Sequence, residues 1–484
     1  MSHHAPRLED HFLTRRDFLN RCGVGFGALG FATLAGPHLF ADSTPGVRPV
    51  NLDNPLAPRP PHFAAKAKRV IHIFANGGPS QVDTFDPKPA LTKYHGKPLP
   101  LDLKTERKTG AAFRSPFEFK KYGQSGIEVS ELFPHVAASI DEIAVIRSMH
   151  ANVPNHEPSL MLMNCGDARL PRPALGSWVT YGLGSENQNL PAFVSLSPTL
   201  ANGGPRNYGS AFLPAVYQGT AIGRAGQKAI EAGLRNVRNP SLTAAEQQRQ
   251  FELVRALNEE QLRAKPGDYE LEAVANSYEL AWRLQNHAPD ALDLTKESAA
   301  TLALYGIGEE PTDDYGRQCL QARRLAESGV RYIQVNYSDN TNNPAWDQHS
   351  NLPKHKDHAL RVDKPVAGLL QDLKARGLLE DTIVWWGSEF GRTPYAEKNG
   401  TGRDHNPTGF SVVLAGGGFK PGFAYGATDD FGHFAIENKV HMHDLHATIL
   451  HQLGLDHEKL TFRHDGRDFR LTDVRGHVVN DLLV

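Results

Sequence analysis

Short apolar runs, several of them rich in β-branched residues, recur along the chain with helical patterns between them. The runs lie at residues 69–75, 143–147, 192–196, 330–335, 382–386 and 411–415. The helical patterns at 315–328 and 362–376 are each followed by a glycine, Gly329 and Gly377, a residue that suits the end of a helix. Strands that alternate with helices predict an α/β fold in which a mostly parallel sheet is sandwiched between helices.

Two segments depart from this alternation. Residues 51–61 are rich in proline, which predicts an extended linker that we place at 42–68, ahead of a folded domain at 69–484. Residues 243–302 are charged and rich in glutamine, and they open with the Thr-Ala-Ala-Glu pattern of a helix capping box. We interpret 243–302 as a helical insertion whose charges face solvent.

The first residues have the features of an export signal. A Thr-Arg-Arg-Asp-Phe-Leu sequence at 14–19 precedes a weakly apolar stretch at 22–36, and together they resemble a twin-arginine (Tat) signal peptide. The stretch is about 15 residues long and rich in Gly and Ala, so it is too short for a stable membrane span. We therefore predict a signal peptide at 1–41, export by the Tat machinery, and a periplasmic or secreted mature protein.

The composition excludes several classes of function. With 52 Lys and Arg against 54 Asp and Glu, the net charge is -2, so the chain lacks the basic field that captures nucleic acids. Its 3 Cys include no Cys-x-x-Cys pair, which excludes a disulfide scaffold and a cysteine-rich zinc site. No apolar run reaches the roughly 18 residues that a membrane span requires. The 23 His residues are the unusual feature, because imidazoles bind metals well.

Carboxylates and imidazoles follow three separate segments of the predicted sheet. Glu389 lies just beyond one strand, Asp347 and His349 follow another, and His405 lies in a polar loop that leads to the next strand. Because the carboxyl ends of parallel strands share one edge of a sheet, we expect these side chains to converge on a common cation. Mixed imidazole and carboxylate ligands suit Zn²⁺ or Mn²⁺ better than Ca²⁺.

The order and spacing of these residues resemble the alkaline phosphatase and sulfatase superfamily. From about residue 69 to its end, the chain resembles the domain-of-unknown-function family 1501 within that superfamily. Asp347 and His349 resemble the first Asp-His pair of the superfamily's two-metal site, Glu389 stands where a strand-end Asp is expected, and His405 resembles a later His. The resemblance implies a metal-dependent hydrolase of phosphate or sulfate esters, with sulfated or phosphorylated polysaccharides among the anionic substrates.

The chain also departs from the superfamily pattern. Sulfatases have two Asp after the first strand, whereas Asn76 offers at best a neutral oxygen here, and Phe390, the residue after Glu389, cannot bind a metal. Where sulfatases have a Cys-x-Pro-Ser-Arg signature, this chain has His156-Glu-Pro-Ser-Leu, with Gly166 at the matching offset. No formylglycine can form at His156. The resemblance therefore implies that half of the metal site is kept and holds one ion.

The role of His156 has three alternatives. It could act as a covalent nucleophile, as a general base, or as a fourth metal ligand. We favour ligand or base, since the candidate hydroxyls, Ser80 and Ser159, have no adjacent activator visible in the sequence. Arg392 could bind an anionic substrate oxygen through a bidentate contact.

Several further residues are open to more than one interpretation. Asp83 and Asp86 are either site residues or turn formers. His441 and His443, which alternate just before a predicted helix, are candidates for extra ligands or for supporting roles, and His150 is similar.

Function has a second interpretation as well. A chain without the usual nucleophile could be a non-catalytic envelope or polysaccharide-binding protein that retains the fold and one structural ion. A lyase or transferase that uses the same ion is a third possibility.

Overall fold

The six apolar runs all form strands of one nine-stranded sheet in a computed structural model of the chain. In spatial order the strands are β13 (Phe423–Tyr425), β5 (Ile143–His150), β12 (Phe410–Ala415), β9 (Thr382–Gly387), β1 (Arg69–Ala75), β8 (Tyr332–Tyr337), β6 (Phe193–Leu196) and β7 (Thr220–Ile222), and β16 (Val440–His441) pairs with the end of β5. Only β12 runs antiparallel to its neighbours among these strands, so the sheet is mostly parallel, as predicted. The sequence missed β7, β13 and β16, because two or three residues carry too little pattern to detect.

The structure describes residues 54–100, 109–232, 241–264, 290–338, 341, 344–397 and 400–484. The predicted signal peptide at 1–41 lies outside these residues, as do residues 42–53 of the predicted linker. Both therefore stay predictions, together with the domain boundary at residue 69.

Smaller sheets lie beside the main one. A three-stranded sheet contains β2 (Thr109–Ala112), β10 (Gly391–Glu397) and β11 (Arg403–Asn406). Two-stranded sheets pair β3 (Phe119–Tyr122) with β4 (Ile127–Ser130), β14 (Ala427–Thr428) with β15 (Ala435–Glu437), and β17 (Phe462–His464) with β18 (Arg467–Phe469). The β10–β11 hairpin matters for function, because its antiparallel register places Arg392 opposite His405.

Helices cover both faces of the main sheet. They are α1 (Gln81–Thr84), α2 (Pro89–Tyr94), α3 (Pro134–Ala137), α4 (His156–Cys165), α5 (Leu175–Leu183), α6 (Ala244–Ala264), α7 (Ala299–Leu304), α8 (Asp313–Glu327), α9 (His355–Ala375) and α10 (Met442–Gln452). No helix within the described residues has both the length and the apolarity that crossing a bilayer requires. The two predicted helical patterns correspond to α8 and α9.

Successive side chains of β1 belong to two different hydrophobic clusters, one on each face of the sheet. Val70 and Phe74 belong to the cluster that includes side chains of α4, α5 and α10, whereas Ile71 and Ile73 belong to the cluster that includes side chains of α3, α8 and α9. This is expected for a strand buried on both faces, because successive side chains point in opposite directions. The predicted sandwich of a sheet between helices is therefore present.

The predicted insertion at 243–302 is described only in part. Helix α6 follows Thr243, whose hydroxyl accepts a hydrogen bond from the Glu246 backbone N–H at 3.3 Å, while the Glu246 carboxylate accepts from the Thr243 N–H at 2.8 Å. The helix start thus has the reciprocal capping predicted from the sequence. Residues 265–289 lie outside the described residues, so the extent of the insertion stays a prediction.

A buried ion pair fixes the β10–β11 hairpin to α1. Arg403 donates to the two carboxylate oxygens of Asp83 at 2.7 and 3.1 Å, and both side chains are fully buried. Burial alone would raise the pKa of Asp83, but the charge and hydrogen bonds of Arg403 hold it below its ordinary value. Asp86 instead pairs with Lys88 at 3.0 Å. The two aspartates therefore support the hairpin and the chain around it.

Buried neutral histidines should make this fold sensitive to acid. Burial lowers the pKa of His72, His355 and His446 to about 3 from the ordinary value of 6.5. Below pH 6.5 the unfolded chain binds protons at these positions and the folded chain does not, so stability falls as pH falls. Each residue contributes a slope of up to about 1.4 kcal/mol per pH unit. Urea unfolding between about pH 6.5 and pH 5 measures this slope, above the range in which most carboxylates titrate.

A substitution tests the contribution of one of these three buried histidines. The slope should fall by up to about 1.4 kcal/mol per pH unit in His72→Gln, which removes one buried imidazole. His464→Gln, at a partly exposed position, is the control and should keep the wild-type slope. A free energy of unfolding that stays flat or rises between these pH values would contradict the expectation.

Candidate functional site

Four parallel strands deliver polar residues to one edge of the sheet. Asn76 directly follows β1, Asp347 lies in the segment after β8, Glu389 is two residues beyond β9, and His156 begins α4 after β5. The β10–β11 hairpin adds His405 from the side. Ligands of open parallel sheets bind at this edge, where the carboxyl ends of the strands meet.

The Asp347 carboxylate lies at the centre of three imidazoles. Its Oδ1 is 2.9 Å from His349 Nε2 and 3.1 Å from His405 Nε2, and those two nitrogens are 3.0 Å apart. Its Oδ2 is 3.3 Å from His156 Nε2. We refer to these four residues as the Asp347 cluster.

Two of the imidazoles are oriented by a carboxylate behind them. His156 Nδ1 donates to Glu389 Oε1 at 2.8 Å, and His349 Nδ1 makes a short hydrogen bond with Glu397. A carboxylate can only accept, so each Nδ1 carries a proton and each Nε2 is directed toward Asp347. An imidazole held in this way by a carboxylate is the usual arrangement of a metal-binding histidine.

The cluster has the chemistry of a transition-metal site. Two atoms that bind one tetrahedral Zn²⁺ at roughly 2.0–2.2 Å lie about 3.3 Å apart, close to the spacings of Asp347 Oδ1, His349 Nε2 and His405 Nε2. His156 Nε2 is buried without a hydrogen-bond partner in spite of its proximity to Asp347. The residues present therefore fit a divalent metal.

The pKa values of the cluster reflect this crowding. Burial would raise the pKa of Asp347, but the Arg392 charge and the close approach of the three imidazoles hold it far below its ordinary range. Burial would lower the pKa of His156, but its close contact with Asp347, its hydrogen bond to Glu389 and the charges of both carboxylates raise it to about 9. Burial lowers the pKa of His405 to about 3, which leaves it neutral and able to bind a metal.

Arg392 does not face a substrate. Its side chain is fully buried, and its NH2 group donates to Asp347 Oδ1 at 2.6 Å. The rest of the guanidinium donates to backbone carbonyls, from Nε to Gly78 at 2.9 Å, from NH1 to Arg403 at 3.1 Å, and from NH2 to Gly77 and to Trp346. The expectation that Arg392 binds an anionic substrate oxygen is therefore corrected, because its donors are already used to hold Asp347 in place.

Glu389 also contacts an imidazole of the cluster and is not itself a metal ligand in this arrangement. Besides His156, it accepts hydrogen bonds from the Gly77 backbone N–H at 3.2 Å and from the Ser388 hydroxyl, and its side chain is fully buried. It orients His156 and makes no direct contact with Asp347 among the described residues. Asn76 likewise makes no hydrogen bond to the described members of the cluster: its amide donates to Ser338 at 2.6 Å. Glu389 is thus not placed as a direct ligand. The Oδ1 of Asn76 is buried without a hydrogen-bond partner, so a ligand role for this neutral oxygen stays a prediction.

Close packing surrounds the cluster. The Phe390 ring lies with its centroid 4.4 Å from that of His405 and 5.1 Å from that of His156. Gly77, at φ 109°, lies so close that a Cβ there would be 2.7 Å from the Asp347 backbone nitrogen, and a Cβ on Gly402 would clash with the His349 carbonyl carbon. Glycine is required at both positions, because the backbone segments that carry the cluster touch there.

The sequence analysis did not identify two acidic residues of the site. Glu397 orients His349, and Asp404 Oδ1 lies 3.7 Å from His349 Nδ1. His349, Asp404 and His405 form a second group whose potential ligand atoms lie within 4.8 Å of one another, beside the group of His156, Asp347 and His405. The Asp-His sequence at 404–405 was a visible signal for Asp404. Glu397 had no such signal, since its position depends on the pairing of β10 with β11.

Known proteins offer likenesses to this architecture. No curated protein matches the chain. A solved sulfatase from Pseudoalteromonas sp., PsFucS1, is 12% identical, with 81% of this chain and 68% of that chain covered and a TM-score of 0.33. A protein in the alkaline phosphatase superfamily from Vibrio parahaemolyticus is 9% identical, with coverages of 83% and 71% and a TM-score of 0.36. A phosphonate monoester hydrolase from Silicibacter pomeroyi, SpPMH, is 14% identical, with coverages of 72% and 71% and a TM-score of 0.29.

Likenesses at these TM-scores carry no argument about the chemistry of this chain. The match to a sequence family is of a different kind, because it covers nearly all of the ordered domain. The model of the family described as "Protein of unknown function (DUF1501)" matches residues 67–483. The chain belongs to the DUF1501 family.

Proposed function

We propose that this chain is an exported hydrolase that uses one divalent cation, Zn²⁺ or Mn²⁺, to cleave phosphate or sulfate esters. The observation that carries the proposal is the mutual approach of Asp347 Oδ1, His349 Nε2 and His405 Nε2, within 2.9–3.1 Å of one another. One carboxylate and two imidazoles are a ligand set of catalytic metal sites that keep a coordination position open for substrate.

In this proposal the three ligands are held in place by the rest of the chain. Arg392 fixes Asp347 from within the protein, and Glu397 fixes the ring of His349. When bound, a divalent cation supplies Lewis-acid polarisation of a phosphoryl or sulfuryl oxygen. Rigid ligands maintain the geometry that such polarisation requires.

His156 is the group that would move a proton. It lies on the Oδ2 side of Asp347, opposite the oxygen that the other two imidazoles approach, and Glu389 holds its Nδ1. Its Nε2 is thereby directed at the site and can accept a proton from an attacking water. A cation that shared the charge of Asp347 would lower this pKa from about 9 and bring His156 toward the range of a useful base.

Water is the favoured nucleophile, because the nearby serine hydroxyls are engaged elsewhere. Ser80 is fully buried and donates to Asp83, and the Ser388 hydroxyl donates to Glu389 and accepts from the Gly78 backbone N–H at 3.0 Å. Neither has the exposed, base-activated hydroxyl that a covalent intermediate requires.

The substrate class and the location rest on the sequence. The resemblance to the alkaline phosphatase and sulfatase superfamily supports an anionic ester, with a sulfated or phosphorylated polysaccharide as the natural form. The twin-arginine sequence at 14–19 supports export through the Tat machinery to the periplasm or beyond.

Metal content and activity together test the proposal. Purified protein equilibrated with Mn²⁺ should hold one ion at the Asp347 cluster by elemental analysis and should cleave aryl phosphate or aryl sulfate esters. His349→Ala and His405→Ala should lose both the ion and the activity. His156→Ala should keep the ion and lose about 10²–10⁴-fold in kcat, because it removes the base and leaves the ligands.

A control and the contrary results complete this test. His464→Ala, which removes a partly exposed imidazole outside the cluster, should change neither readout. An ion that is bound but accompanied by no turnover of any ester would favour the non-catalytic envelope or polysaccharide-binding protein, an alternative that the Phe390 ring packed on two imidazoles supports. If His349→Ala left the metal content unchanged, the Asp347 cluster would be excluded as the metal-binding site.

Glu397→Gln tests the carboxylate behind His349. Glutamine keeps the size of the side chain but removes the charge, so the affinity for Mn²⁺ should fall about 10- to 100-fold. Isothermal titration with Mn²⁺ measures the change. Glu437→Gln, at an exposed position, is the matched control and should leave the affinity unchanged. Equal affinities for the two variants would exclude the orienting role of Glu397.

Glu389→Gln should shift the pH dependence of turnover. The negative charge of Glu389 helps to raise the pKa of His156, so its removal lowers that pKa and moves the rising limb of the kcat profile toward acid. The plateau should also fall, because the imidazole loses the acceptor that fixes its proton on Nδ1. A limb that stays in place or moves toward alkaline pH would contradict the pairing of Glu389 with a catalytic His156.

A further inference from the structure

A second group of histidines has no role in the proposed reaction. His150 ends β5, and His441 on β16 is its partner in the parallel register. The ring centroids of His150 and His441 are 5.0 Å apart, and those of His441 and His443 are 4.9 Å apart. In the Asp347 cluster, the ring centroid of His405 is 4.5 Å from that of His156 and 4.6 Å from that of His349.

Two of these imidazoles have one nitrogen fixed by the backbone and the other buried and free. His441 Nδ1 caps α10 by accepting from the His443 N–H at 3.2 Å, which leaves Nε2. His443 Nε2 donates to the Gly166 carbonyl at 2.8 Å, which leaves the lone pair of Nδ1. Both remaining nitrogens are buried without a hydrogen-bond partner. Buried polar atoms without partners are unfavourable, so a ligand that engages both would be stabilising.

We propose that His150, His441 and His443 form a second metal site, for Zn²⁺ or a cation of similar preference such as Ni²⁺ or Cu²⁺. Imidazole-only sites select these ions over Mn²⁺, Mg²⁺ and Ca²⁺, which prefer oxygen ligands. The hydrogen bond from His443 Nε2 to a carbonyl also has the form of the outer contact that orients a metal-binding histidine.

The surroundings suit such an ion. The potential ligand atoms of His150, His441 and His443 do not all lie within 4.8 Å of one another, unlike those of the two groups at the Asp347 cluster. An ion would therefore require the partly buried ring of His150 to turn toward His441. Burial lowers the pKa of His441 to about 4, which keeps it in the neutral form that binds metals. The Asp444 carboxylate accepts from the His441 N–H at 2.8 Å and offsets the positive end of α10.

An ion at this position would link β5 to β16 and to the first turn of α10. It would therefore fasten the C-terminal part of the chain to the main sheet. An ion of this kind binds the folded chain in preference to the unfolded chain, so it should raise the Tm in proportion to the logarithm of the free Zn²⁺ concentration.

Zn²⁺ content measured by elemental analysis after dialysis tests the proposal. Wild-type protein should retain two ions, His441→Asn one, His349→Ala one, and the double variant none. Asparagine is a favourable N-cap residue, so His441→Asn keeps the helix cap while it removes the free imidazole nitrogen. With Mn²⁺ in place of Zn²⁺, wild type and His441→Asn should both retain one ion.

The design separates this site from the Asp347 cluster. Unchanged Zn²⁺ content in both His441→Asn and His150→Gln would overturn the second site and leave the proposed function standing. If only those variants lost Zn²⁺ and His349→Ala kept the wild-type content, the second site would stand and the metal site at the Asp347 cluster would be overturned. His150→Gln decides the matter if His441→Asn fails to fold, and His464→Asn, outside both groups, should retain the wild-type content.

Discussion

The site depends on a carboxylate that the protein cannot leave unpaired. Asp347 is almost completely buried, and it is held by Arg392, whose side chain is fully buried too. Charges removed from water are tolerated only when they are paired and hydrogen-bonded, and breaking such a pair costs about 3–5 kcal/mol. Arg392 therefore determines where Asp347 lies, and Asp347 in turn determines the point toward which three imidazoles are directed. The position of the proposed ion follows from this pair.

Two arginines of the β10–β11 hairpin, Arg392 and Arg403, connect distant parts of the chain. Arg392 donates to carbonyls of the turn after β1 and to Asp347 after β8, and Arg403 binds Asp83 in α1. Since the hairpin also carries His405 and Glu397, these two contacts fix the relative positions of residues that lie far apart in sequence. The rigidity of the cluster thus comes from buried ion pairs beside it, and the apolar core beneath the sheet positions the strands.

The sequence predicted the parallel sheet and the grouping of Asp347, His349 and His405, because the residues after parallel strands meet at one edge whatever the detailed packing. It could not predict the roles of Arg392, Glu389 and Glu397. An arginine or glutamate just beyond a strand can face solvent, substrate or protein, and the choice is made by the hairpin register and by tertiary packing. These determinants act between segments and leave no local pattern.

The distribution of carboxylates bears on the number of ions at the Asp347 cluster. Two divalent cations side by side require several carboxylate oxygens to offset their repulsion. Here Glu389 and Glu397 are hydrogen-bonded behind imidazoles, and the charge of Asp347 is shared with Arg392. Phe390 packs against His156 and His405 and offers no ligand atom. The cluster therefore combines imidazole nitrogens with the single carboxylate of Asp347, an arrangement that supports the proposal of one cation rather than a pair.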